Sequence, residues 1–60
     1  MLEYSKTILS KVSFDKNLFD KELAKAIRLV GQELEALKKW CYDKFGHLYP
    51  RILNKHFNFN

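Results

Sequence analysis

Cys41, His47 and His56 are the side chains that could ligate a soft metal or act as a nucleophile with its base. A structural zinc site wants about four ligands, in pairs about two to five residues apart, and these are too few and too scattered. Cys41 with His47 would need a thiolate. Cys41 falls on an apolar stripe, where a thiol with no cationic neighbour stays protonated and behaves as a small hydrophobe. His56 falls near the end of a short terminal helix, where it favours the dipole. The carboxylates offer no pair for acid–base work: Asp20 and Glu22, like Glu33 and Glu35, stand two apart and diverge on a helix. No glycine-rich loop exists to cradle a phosphate. The sequence therefore predicts no catalysis, no metal, no cofactor and no small-molecule substrate.

The elements that would position these groups are all helical. Leu23, Ile27, Val30, Leu34, Leu37 and Cys41 recur at spacings of four, three, four, three and four, the seam of an α-helix or of two helices in one phase. Ahead of it, Leu2, Ser5, Ile8, Leu9 and Val12 share one face of a short helix over residues 2–12. Ser13-Phe14-Asp15 breaks the chain. With Asp15 as N-cap, Phe14 and Phe19 take the positions of a hydrophobic staple; Ser13 as N-cap is the alternative. The helix that follows, 15–30, has Leu18, Phe19, Leu23, Ala26, Ile27 and Val30 as its apolar face.

Gly31 offers two architectures. The stripe runs through it in phase and nothing around it resembles a loop, which suits one long central helix. Acidic residues nevertheless open and basic residues close each half separately, and glycine is what a helix C′ position wants. The reading adopted is two helices, 15–30 and 32–45, with a corner near Gly31. Gly46 then reads as a left-handed C-cap. Pro50 opens a last helix over 50–57, and Phe57-Asn58-Phe59-Asn60 reads as a fraying tail. The expected fold is an all-α, compact bundle of three to four short helices in a single domain, with Leu23, Ile27, Leu34 and Leu37 nearly fully buried.

Sixty residues give a thin core, and one cysteine excludes an internal disulfide. No stretch near Met1 has the apolar core of a signal peptide, and no apolar run spans a membrane, so the expected location is cytoplasmic. The net charge of +4 is spread thinly: Lys6, Lys11, Lys16 and Lys21 fall five apart and spiral around a helix rather than forming a stripe. Six of the nine aromatic residues lie from Trp40 onward. Trp40 and Tyr42 fall on opposite sides of the Leu34–Leu37–Cys41 stripe, and the rings together exceed what a small interior should hold. Trp40, Tyr42, Tyr49, Phe57 and Phe59, with Arg51 among them, are therefore the expected interface of a helical protein-interaction module, its partner another protein or a second copy forming a homodimer. Two other readings rank lower. A helix-turn-helix at Gly31 would present Glu33 and Glu35 to phosphates, and membrane-surface attachment would rest on few basic residues.

Overall fold

The computed structural model describes residues 1–57 and contains four α-helices and a single 3-10 turn: α1 Leu2–Val12, α2 Lys16–Val30, a 3-10 turn Gly31–Glu33, α3 Leu34–Phe45 and α4 Pro50–Phe57. The Cα radius of gyration, 10.1 Å, matches the roughly 10 Å expected of a well-packed chain this long. Among the described residues no helix is long and apolar enough to cross a membrane. The Phe59 part of the expected interface, and the last three residues of the expected tail, lie outside the described residues.

Asp15 is the N-cap of α2. Its extended backbone turns the side chain back, and Oδ1 accepts from the Asn17 and Leu18 amides at 3.0 and 3.1 Å. The staple does not form. Phe14 is 80% exposed, while its expected mate Phe19 is fully buried with its ring 4.9 Å from both Phe45 and Tyr49. Phe19 packs instead on Phe45 of α3 and Tyr49 of the α3–α4 loop.

Gly31 ends α2 with φ +55°, the only positive φ among the described residues. A side chain resists that region, so the helix stops where glycine permits it. The 3-10 turn then winds at about 3.0 residues per turn instead of 3.6, which breaks the phase of the seam across the corner. Leu23 and Leu37 are fully buried, as the spacing predicts. Ile27 and Leu34, which flank the corner, are only half-buried at the edge of the core. That corrects the expectation of four buried residues in one continuous stripe.

The C-terminus of α3 also departs from expectation. Gly46 is right-handed, at φ −59° and ψ −34°, rather than left-handed. Its amide donates to the Tyr42 carbonyl at 3.0 Å, and the Leu48 and Tyr49 amides both donate to the Phe45 carbonyl, at 3.1 and 2.8 Å. These bonds satisfy the last carbonyls without a left-handed residue. Glycine is required there for space: a Cβ would strike the Tyr42 carbonyl oxygen.

All four helices feed one core. Leu9 comes from α1; Phe19, Leu23, Ala26 and Val30 from α2; Leu37, Cys41 and Phe45 from α3; and Ile52, Leu53 and Phe57 from α4.

Candidate interaction surface

The C-terminal aromatic residues are largely absorbed by the fold. Phe57 is 2% exposed and lies in the core. Trp40 is half-buried, edge-on to Phe45 with centroids 5.5 Å apart, and the Lys6 ammonium lies 6.0 Å from its ring. Tyr42 is half-buried too, and its hydroxyl donates to Asn54 Oδ1 at 2.6 Å. Tyr49 packs on Phe19 and donates its hydroxyl to the Ser13 carbonyl at 2.6 Å, pinning the α3–α4 loop to the α1–α2 turn. Arg51 is exposed beside the shallow groove formed by Lys16, Leu48 and Tyr49. Of the expected interface residues that the structure describes, Phe57 is buried, Trp40, Tyr42 and Tyr49 are half-buried and Arg51 is exposed. Each half-buried ring lays an apolar face on the core, and both tyrosines send their polar tips to partners within the chain.

Exposed large apolar side chains occur in both halves: Leu48 is 53% exposed beside Tyr49 and Arg51, and Met1 and Phe14 are 58% and 80% exposed. Outside the core, Tyr4 is 57% exposed, Leu29 50% and Leu18 39%. Tyr4 and Leu29 line a groove between α1 and α2 with Ser5, Ile8, Glu22, Lys25 and Ala26, about 150 Å³ in volume. Ser5 and Ala26 are both buried in this groove, and the Ser5 hydroxyl has no hydrogen-bond partner among the described residues. Small side chains at these two positions let the helices approach closely, while the larger Tyr4, Ile8 and Leu29 form the walls. Glu22 and Lys25 form an ion pair across one turn, 3.6 Å apart. Sequence reasoning missed this surface: it assigned Leu18 to the core face of α2 and gave Leu29 no role. The signal for it was present in the spacing of Leu18, Glu22, Lys25 and Leu29, which share an outer face.

The titratable groups divide cleanly. Cys41 is fully buried, and burial pushes its thiol up to about 12, so it is protonated at neutral pH. Asp20 reads from sequence as a solvated helix end, yet it joins α2 to α4. Lys55 Nζ lies 2.7 Å from Oδ2, and His56 Nε2 lies 2.5 Å from Oδ1. The Lys55 hydrogen bond first, then that from His56, holds the Asp20 carboxyl below its ordinary range against a smaller opposing effect of burial. A carboxylate only accepts, so the His56 Nε2 carries the proton in this contact. His56 thus serves tertiary pairing beyond the dipole role expected of it. Among the described residues, no three His, Cys, Asp or Glu side chains converge as metal ligands.

Compared with protein-family models, curated proteins and solved structures, the chain matches none.

Proposed function

We propose that this chain is a non-catalytic helical module that binds another protein through the α1–α2 face. The observation that carries the reading is the grouping of exposed Tyr4 and Leu29 with Ile8 around one groove between α1 and α2. Tyrosine is among the residues that anchor protein interfaces, with a flat apolar face and a polar tip. The buried free thiol suits the reducing cytoplasm. A nucleic-acid role has less support: Glu33 and Glu35 stand exposed at the opening of α3, where a DNA-reading helix would meet phosphates.

Photo-cross-linking in living cells tests the proposal. A photoreactive phenylalanine analogue at Tyr4 should yield discrete protein adducts on irradiation, and the same analogue at exposed Lys39 should not. Adducts that are absent at position 4, or that consist only of lipid or nucleic acid, would rule the module out.

A further inference from the structure

We infer that the occupant of this face is a second copy of the chain, docked antiparallel along α2 about a two-fold axis. The inference rests on the proposed interaction role and names its partner. Leu18, Glu22, Lys25 and Leu29 fall within about 60° of one another around α2, at spacings of four, three and four. All four reach solvent: the leucines are 39% and 50% exposed, and the Glu22 and Lys25 side chains 28% and 70%.

Read in the opposite direction the stripe keeps its apolar ends and inverts its charges. Two α2 helices laid antiparallel, with the axis crossing between Leu23 and Ala24, set Leu18 against Leu29 of the other copy. The same register sets Glu22 against Lys25, twice over. One stripe is thereby its own complement in shape and in charge, which is the requirement of an isologous contact. A different protein would impose no such symmetry on the sequence. Glu22 and Lys25 already face each other within one helix at 3.6 Å, so both charges lie at the right place to be shared across the axis. Tyr4 and Ile8 line the same groove as Glu22, Lys25 and Leu29 and widen the apolar contact on the α1 side.

The contact is weak. A standard interface covers roughly 800 Å² of each partner, about a fifth of the 4266 Å² accessible here, and the edges of two helices offer less. Association is therefore expected at high micromolar concentration and above.

Sedimentation equilibrium on the purified chain, from about ten micromolar to about one millimolar, supplies the test. The mean mass should rise from 7.2 kDa toward twice that value. Glu22→Lys alone and Lys25→Glu alone each place like charges across the axis, and each should weaken association about tenfold or more. An equimolar mixture of the two variants restores opposite charges at both contacts and should recover the wild-type mass. Circular dichroism melts of each variant alone confirm folding, and Leu29→Ser, expected to be monomeric, gives a second probe without a charge change. A monomer mass throughout the range, or a dimer that ignores the charge substitutions and the mixture, would overturn the inference. Protein adducts at Tyr4 from some other chain, beside a monomeric purified protein, would leave the module standing and remove the second copy.

Discussion

Among the described residues, the C-terminal half is rich in rings and covers them at least in part; the N-terminal half has three and leaves two of them mostly exposed. Trp40, Tyr42, Phe45, Tyr49 and Phe57 are all buried or half-buried, whereas Tyr4 and Phe14 are mostly exposed and only Phe19 is covered. The difference lies in what surrounds each ring. Rings from α3, the α3–α4 loop and α4 interlock with one another and with Phe19 at centroid distances of 4.9 to 6.1 Å. Tyr4 instead lines the open groove between α1 and α2, where no ring among the described residues packs against it. Aromatic content is thus a poor guide to exposure; what packs against each ring decides it.

The sharpest way to break the contrast is Phe45→Ala. The residue touches both Phe19 and Trp40, so its loss opens a cavity between those two rings and should cost about 3–5 kcal/mol. Small domains commonly have about 5 kcal/mol in total, so a urea melt should show little or no folded baseline at 25 °C. A variant as stable as wild type would place the core elsewhere.

Gly31→Ala tests the junction between the two halves. Space is not at issue, since nothing lies within 4 Å of a Cβ built there. Only the backbone at φ +55° resists, and destabilisation by about 1 kcal/mol or more is expected. A stabilised variant would mean that α2 runs through the corner.

Asp20→Asn addresses the tie between α2 and α4 and should cost about 1 kcal/mol at pH 7, since the charged hydrogen bonds are partly open to solvent. The Asp20 carboxyl is held below its ordinary value, so its contribution is complete above that value and is lost as pH falls through the lower, folded one. Urea melts at pH 7 and about pH 2.5 should show wild type losing more stability on acidification than the Asn variant. Equal losses would mean that the carboxylate contributes nothing.

Phe14→Ala should give the smallest change, within about 0.5 kcal/mol, because the ring lies in solvent. A loss above about 1 kcal/mol would revive the staple.

Much of this fold is legible in the sequence because it depends on neighbours along the chain. Asp15 announces α2 through its own amide contacts, Pro50 opens α4, and the charge reset around Gly31 marks the corner. Periodicity shows which side of a helix is apolar, but coverage depends on what packs against it. Ile27 and Leu34 therefore fall short of full burial, Leu18 emerges, and Trp40, Tyr42 and Tyr49 are half-covered. Asp20 and His56 are 36 residues apart, as are Tyr49 and Ser13, and no local pattern joins them. The α1–α2 face was half-visible: the spacing of Leu18, Glu22, Lys25 and Leu29 is in the sequence, but their exposure is not.

Cys41 has a consequence beyond packing. A lone thiol with no solvent contact and a proton it does not release near neutrality is shielded twice from electrophiles. An aromatic disulfide reagent can reach it only when the interior opens, so the labelling rate at modest reagent concentration follows the equilibrium population of opened molecules. The protein thereby carries its own clock for transient unfolding. A faster tick, without any change in the folded spectrum, would register destabilisation too slight for a melting curve to resolve.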